Sequence, residues 1–244
     1  MKYPVVYYYK EDASHGEDLR YSIRSVVKNF PYSKIILLGS KPSWFHESKE
    51  FIYIPSEFKK ESSWTLGWVP FQHMLTLLKY ADFEDFILFN DDFFVTKKIT
   101  KFQDMYRLES DYDMRCKQNR LYHRRTMRAL SYTDSKKYFN LHAPMRMKIS
   151  RMKEYMNWWL KNPEKDLDFR TLYGNRYIED YPDLIGVVDF KSSYIRKDLM
   201  NPELREYFST SSQDFLTPPS EIGKHIKEMF PKPTRCEKPL IEKI

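Results

Sequence analysis

FILFNDDFFV, residues 86–95, sets two adjacent carboxylates inside an apolar run. Phe86, Ile87, Leu88 and Phe89 read as a short buried strand, Asn90, Asp91 and Asp92 interrupt it, and Phe93, Phe94 and Val95 resume it at once. Neighbouring like charges repel, and taking carboxylates out of water is costly unless a cation or hydrogen-bond donors compensate. An isolated Asp pair is ordinarily a turn that caps a loop through side-chain to backbone bonds. Flanks of FILF and FFV are not those of a solvated loop, so here the pair asks for a positive partner. Hard oxygen ligands suit Mg2+ or Mn2+, which are commonly held by one or two carboxylates together with substrate phosphates. A phosphate-bearing substrate follows.

Upstream of this stretch the chain alternates strand and helix. YPVVYYYK (3–10) is β-branched and aromatic, and the polar EDASHGED then breaks it. Acidic Glu17 and Asp18 open a helix whose Leu19, Ile23, Val26, Val27 and Phe30 share one face, stopped by Pro31. Strands follow at KIILLGS (34–40) and FIYIP (51–55), and a helix begins near Pro70 with Phe71, Met74, Leu75 and Leu78 at helical spacing. The order β-α-β-β-α-β predicts an α/β fold with a mainly parallel sheet, in which ligands bind beyond the carboxyl ends of the strands. Asn90, Asp91 and Asp92 fall at such an end.

The chain of 244 residues, 41% hydrophobic and without a Gly/Ser linker, predicts one domain with a C-terminal elaboration. An aromatic content of 17% beside 31% charged residues suits rings that lie half in a core and half along a wet cleft. Cys116 and Cys236 match neither a CxxC metal site nor a disulfide framework, which points to a reducing compartment. The N-terminus turns polar too early for a signal peptide, and no apolar run approaches the ~20 residues that span a bilayer. A cytoplasmic protein without membrane attachment is therefore expected, in the host cytoplasm if the gene belongs to a phage.

With these features the sequence resembles the GT-A glycosyltransferases, in which an acidic DxD-like motif at a strand end holds a divalent metal on the diphosphate of a nucleotide sugar. EDLRYSIRSVVKNFPYSKIILLGSKPSW (17–44) and FILFNDDFFV are similar to a subgroup that includes Stealth-type capsule transferases and small bacteriophage glycosyltransferases. The likeness spans residues 3 to 100 and thins to NLHAPMRM (140–147), FRTLYGN (169–175) and STSSQDF (209–215) afterwards. It implies a single domain over 1–244, with a nucleotide-sugar half (1–100), an acceptor half (101–218) and a C-terminal helix and tail (219–244). It also implies a metal-dependent transferase using Mn2+ or Mg2+ and a nucleotide sugar such as a UDP-sugar. Asn90 stands where the motif has Asp: it can still accept from a ribose hydroxyl but brings no charge, which leaves the metal to Asp92 with Asp91 in support. The opening motif of the Stealth proteins is missing, which disfavours sugar-phosphate transfer.

Other candidates join the acidic pair. His142, extended before Pro144, is either a satisfied structural residue or a further metal or diphosphate ligand. Asp214 in SSQDF is either an Asp near a helix start or, with Asp91, a catalytic candidate, since an inverting transfer needs a base within reach of the acceptor hydroxyl. Tyr9, Lys10 and Asp12 follow the first strand, where the resemblance puts the nucleotide base. Arg20 and Arg24 lie one helical turn apart and suit bidentate phosphate contact. Trp68, with Trp64 and Gly67, belongs either to a loop over the donor or to a buried Trp cluster, while Trp158 and Trp159 read as core.

Charge addresses the acceptor. Between Arg115 and Lys153 twelve Lys or Arg residues face one acid, Asp134, so this tract is +11 and the remainder −4, against +7 overall. Tyr122, His123, Tyr132, Tyr138 and Phe139 interleave it, and in a helix Arg120, Arg124 and Arg128 form a stripe with Arg125 beside it. Such a mixture suits a polyanion with exposed bases. Hydroxymethylated pyrimidines in phage DNA, hydroxymethylcytosine among them, lead as the acceptor expected from the resemblance. A cell-surface polysaccharide and a catalytically dead nucleic-acid-binding domain are the alternatives.

Overall fold

The structure is a computed structural model that describes residues 1–11, 14–56, 68–108, 120–162, 166–188, 190, 205–211, 215–216 and 221–237, with backbone alone at 68–69 and 120–122. Its first half runs β1 (Tyr3–Tyr9), α1 (Glu17–Asn29), β2 (Tyr32–Gly39), β3 (Phe51–Pro55), α2 (Trp68–Tyr80) and β4 (Asp85–Phe89). This is the alternation that the sequence predicts. The second half runs β5 (Phe93–Val95), β6 (Met105–Arg107), α3 (Arg120–Ser131), β7 (Met145–Lys148), α4 (Ile149–Lys161), α5 (Phe169–Arg176), β8 (Ile185–Val187), β9 (Tyr207–Ser209) and α6 (Glu221–Met229).

Five strands form the central sheet in the order β3-β2-β1-β4-β7, the first four parallel and β7 antiparallel to β4. Alternation along β1 decides which face each residue serves. Val5, Tyr7 and Tyr9 pack with Leu19, Ile23 and Val26 of α1, while Val6 packs on the opposite face with Phe71 and Met74 of α2 and with Met152 and Trp159 of α4. Covered on both sides, these strands are apolar along nearly their whole length. The crossover from β1 runs out to β2, whereas β4 returns on the other flank of β1, so the strand order reverses between β1 and β4. A crevice opens at the carboxyl ends of strands on either side of such a reversal.

FFV is not a continuation of β4. After Asn90 the chain turns, with Phe93 N–H donating to the Asn90 carbonyl at 3.3 Å, and β5 pairs antiparallel with β9 in a separate small sheet. Polar groups of α1 anchor that sheet: Ser22 donates to the Phe93 carbonyl, Ser25 Oγ accepts from Val95 N–H at 2.9 Å, and Asn29 Nδ2 donates to the Val95 carbonyl at 2.7 Å. The acidic residues thus occupy a corner between two sheets. At the neighbouring strand ends, Gly39 has φ 108°, and a Cβ there would lie 2.2 Å from the Tyr9 carbonyl oxygen. Only glycine lets β1 and β2 finish this close together.

A C-terminal segment after α6 clamps α1. Glu237, buried at 7% exposure, accepts from Arg20 Nε at 2.5 Å and from Arg24 Nε and Nη2 at 2.8 and 2.6 Å. Arg24 Nη1 also donates to the Phe230 carbonyl at 3.0 Å, and His46 N–H to the Cys236 carbonyl at 2.6 Å. Cys236 is buried, and burial pushes its thiol up to about 12. It is a packing residue. Burial alone would raise the Glu237 carboxyl, but hydrogen bonds from Arg24, Thr234 and Arg20 outweigh it and hold the group below its ordinary value.

Removing the acid strands the buried Arg24, while Arg20 keeps Glu17, so Glu237→Ala is expected to cost about 3–5 kcal/mol in urea unfolding. Because the folded-state pKa is depressed, the clamp's stabilisation is present above the ordinary glutamate range and is lost as pH falls through the lower, folded value. The stability gap between wild type and Glu237→Gln should therefore narrow in acid. A gap that stays constant down to the acid unfolding limit would show that the carboxylate charge is not what holds the strap.

Candidate functional site

The crevice between β1 and β4 is built on the three residues after β4. Asn90 Oδ1 accepts from Tyr8 OH at 2.8 Å and from Arg170 Nη2 at 2.6 Å. Arg170, in the first turn of α5, is only 6% exposed; its Nη1 donates to the Ala143 carbonyl at 2.8 Å and its guanidinium lies over the Phe93 ring at 5.3 Å. Asp91 and Asp92 are half-buried. Asp92 Oδ2 accepts from Ser209 Oγ at 3.4 Å, and its carbonyl accepts from Thr210 N–H at 3.3 Å, tying the corner to β9. His142 sets its ring edge-on to Phe93 at 6.3 Å, one residue beyond Asp92. The loop through NLHAPMRM therefore reaches the acidic corner, as does the Ser209–Thr210 end of STSSQDF.

Electrostatics at the corner are mixed. Burial raises the Tyr8 phenol above its ordinary value, the charge of Arg170 opposes that, and the charges of Asp91 and Asp92 add to it. Two carboxylates and one guanidinium thus act on one phenol. Behind Tyr8, His73 of α2 stacks ring on ring at 5.9 Å and 13°. Burial pushes the His73 imidazole down to about 4, so it is neutral at physiological pH.

The helix start beside this crevice is already filled. Asp18 is fully buried in the first turn of α1, where its Oδ1 accepts from Ser14 Oγ and from Leu19 N–H, both at 2.9 Å. Glu17 precedes it. In nucleotide-binding α/β folds a helix N-terminus next to the first strand commonly takes phosphate. Here Leu19 N–H is bonded to Asp18, Glu17 N–H donates to the Ser14 carbonyl at 3.0 Å, and two carboxylates face the dipole, so an anion at this crevice needs another positive partner.

Arg20 and Arg24 are not aimed at the crevice: their forks are spent on Glu237 and on the C-terminal segment. Tyr9 lies at the end of β1 with its hydroxyl beside Gly16 and Pro42, and Lys10 is exposed just beyond. Asp12, Asp214 and the side chains of Trp68 and Arg120 lie outside the described residues. Trp159 is core, as expected. Tyr8, His73 and Arg170 escaped the sequence reading. Tyr8 sits among three consecutive tyrosines with nothing to single it out, and Arg170 had one signal, the FRTLYGN phrase that contains it.

Four cations of the basic tract pair with acids from outside it. Arg125 pairs with Asp166, Arg146 with Asp104 at 2.6 Å, Lys148 with Asp180 at 2.7 Å, and Arg151 with Asp180 at 3.0 Å and Glu179 at 3.2 Å. Helix α3 does form, but Arg125 turns inward. Arg124 and Arg128 keep 58% and 41% of their side chains exposed, each about 4 Å from Asp166.

Asp91 and Asp92 fit a hard divalent cation by donor chemistry: they supply charged oxygens at a half-buried corner, and Mg2+ or Mn2+ fills its remaining positions with water and phosphate. Among the described residues no three His, Cys, Asp or Glu side chains gather into a closed cage. No family model matches the sequence, and no curated protein sequence does either. The structure is similar to galactosyltransferase LgtC solved with donor and acceptor sugar analogs, at a TM-score of 0.50 and 9% identity over 97% of this chain and 98% of that one. The fold is that of the GT-A glycosyltransferases. It is also similar to a glycosyltransferase involved in glycosylation of the major capsid of PBCV-1, at a TM-score of 0.48 and 9% identity over 93% and 100% of the two chains.

Two variants probe the frame of the site. Arg170→Met leaves the Asn90 and Ala143 oxygens without their buried donor and is expected to cost about 2–3 kcal/mol, read by urea unfolding. The depressed His73 pKa makes wild-type stability fall from about pH 6.5 to about pH 4, because in that window the unfolded chain takes up a proton that the folded one refuses. His73→Phe keeps the stack and should flatten that slope. An NMR titration in which His73 protonates near its ordinary value would disprove the account.

Proposed function

We propose that the chain is a metal-dependent glycosyltransferase that moves a sugar from a nucleotide sugar to a hydroxyl acceptor. One observation carries this reading: a pair of half-buried carboxylates stands at the strand-order reversal of a GT-A fold whose neighbouring helix begins with two acids, Glu17 and Asp18. A diphosphate placed there is met by Asp91 and Asp92 only through a cation. Mg2+ or Mn2+, when bound, neutralises the diphosphate as it leaves. Asp92 and Asp91 are assigned to hold it, while His142, packed edge-on against Phe93, is assigned to the diphosphate rather than to a three-residue metal group. Arg170 adds a fixed positive charge behind the corner, and Asp214 or Asp91 is assigned to take the proton of the attacking hydroxyl. Tyr9 and Lys10, at the end of β1 and just beyond it, are assigned to the nucleotide, as is Asp12.

A carbohydrate hydroxyl fits the acceptor side better than a nucleic acid. The reason is that Arg125, Arg146, Lys148 and Arg151, which the basic tract would offer to a phosphate backbone, are engaged by acids from elsewhere in the chain. A UDP-sugar is the donor to try first. No helix among the described residues is long and apolar enough to cross a membrane.

Asp92→Asn should lower turnover on a UDP-sugar by a factor on the order of a hundred or more, while the melting temperature stays within a few degrees, because the cation and diphosphate lose their principal ligand. Full activity in excess EDTA, or in this variant, would sink the metal-dependent reading. A second comparison separates the acceptors: Arg124→Glu with Arg128→Glu is expected to leave transfer to a saccharide hydroxyl within about twofold. Transfer detected by mass on hydroxymethylcytosine DNA, with binding that loses about one unit of salt slope per reversed arginine, would instead make nucleic acid the acceptor.

A further inference from the structure

The carboxamide of Asn90 has a polarity that chemistry fixes. Arginine carries N–H groups and no acceptor, so the Asn90 atom 2.6 Å from Arg170 Nη2 is oxygen whichever way the amide is drawn. Tyr8 brings its hydroxyl to the same oxygen at 2.8 Å and donates there. A carbonyl oxygen has two lone pairs, and both are taken. The amide nitrogen therefore faces away from Tyr8 and Arg170. Among the described residues it has no protein partner, and it is not sealed from solvent. Its two N–H groups open at the carboxyl end of β4, beside Asp91 and Asp92. The two donors that set this orientation are themselves held from behind: His73 stacks on Tyr8, while the Ala143 carbonyl and the Phe93 ring fix Arg170.

We propose that Asn90 is a ligand-binding donor whose Nδ2 hydrogen-bonds a phosphoryl oxygen of the nucleotide-sugar diphosphate, with Tyr8 and Arg170 as the positioning residues that fix its polarity. The assignment rests on the nucleotide-sugar reading above. It reverses the sequence expectation that Asn90 accepts from a ribose hydroxyl, since an oxygen whose lone pairs are both committed has nothing left to accept with. It also gives the amide a reason to stand where an acid was expected. A carboxylate at position 90 would neutralise Arg170 and add a third negative charge beside Asp91 and Asp92. The carboxamide accepts from Arg170 and leaves its charge in place, so the group of four side chains carries a net charge of −1 with Asn and −2 with Asp. A phosphoryl oxygen is the acceptor that gains from both the N–H groups and the retained cation.

The test is calorimetric binding of UDP in the presence of Mn2+ to the full chain and to Asn90→Asp, Asn90→Ala and Tyr8→Phe, each first shown to melt within a few degrees of the wild type. Asn90→Asp is expected to bind at least about tenfold more weakly than the wild type and more weakly than Asn90→Ala, because an acceptor facing a phosphoryl oxygen repels it where alanine only leaves a gap. Tyr8→Phe frees one lone pair and lets the amide rotate, and is expected to weaken UDP by about threefold with the affinity for Mn2+ alone unchanged. If Asn90→Asp binds UDP as tightly as the wild type or tighter, position 90 serves as an acceptor or metal ligand; the assignment is then overturned and the transferase reading stands. Should the aspartate disturb folding, Asn90→Ala decides alone, and wild-type affinity in that variant overturns the assignment. If the wild type binds no UDP, GDP or CMP, free or sugar-linked, with either metal, the nucleotide-sugar reading falls and this assignment falls with it.

Discussion

A parallel sheet covered by helices on both faces has few places for polar side chains, and that constraint organises this molecule. From β1 to β4 the strand interiors are given over to Val, Ile, Leu, Tyr and Phe, because each face meets a helix. Polar chemistry is pushed to the carboxyl ends, and the reversal of strand order between β1 and β4 keeps one stretch of that edge open. Asn90, Asp91 and Asp92 fall there because β4 stops at Phe89 and the chain turns into a second sheet. The apolar FFV flank that makes the carboxylates look buried in the sequence is the first strand of that sheet, pinned to α1 by Ser22, Ser25 and Asn29.

The corner is stiff on one side and open on the other. Tyr8, Arg170, Ala143 and His73 form a hydrogen-bonded and stacked backing that leaves the Asn90 oxygen no spare lone pair. Asp91 and Asp92 are only half-buried beside it. Rigid donors behind half-buried carboxylates give the corner a fixed geometry that its own packing sets. With Glu17 and Asp18 in its first turn and Leu19 N–H bonded to Asp18, the start of α1 meets negative charge with negative charge and is a poor place for an anion.

Arginine is used here as structural material more than as surface. Arg24 and Arg20 close on Glu237, Arg125 on Asp166, Arg146 on Asp104 and Arg151 on Asp180. Arg20 and Arg24 fasten α1 to the C-terminal strap across more than two hundred residues, while the other pairs tie together segments of the second half that lie 29 to 42 residues apart. The planar fork suits that task because it meets carboxylates and backbone carbonyls in one geometry, as Arg24 does with Glu237 and Phe230.

Local pattern determined the strand–helix order of the first hundred residues and the position of the acidic triplet at a strand end, because hydrophobic periodicity and turn residues act over neighbours in sequence. Pattern also sufficed for the helical stripe at Arg120–Ser131. Which charges stay free, and which polar atoms meet, were decided by the tertiary structure. The acids that neutralise the basic tract, Asp104, Asp166 and Asp180 among them, mostly lie outside it, and the partner of Arg20 and Arg24 lies more than two hundred residues away. Asn90 shows the limit most clearly. Its sequence neighbours announce a polar site, but whether its amide donates or accepts depends on Tyr8 and Arg170, which lie 82 and 80 residues away and reach it only once β1, β4 and α5 have packed.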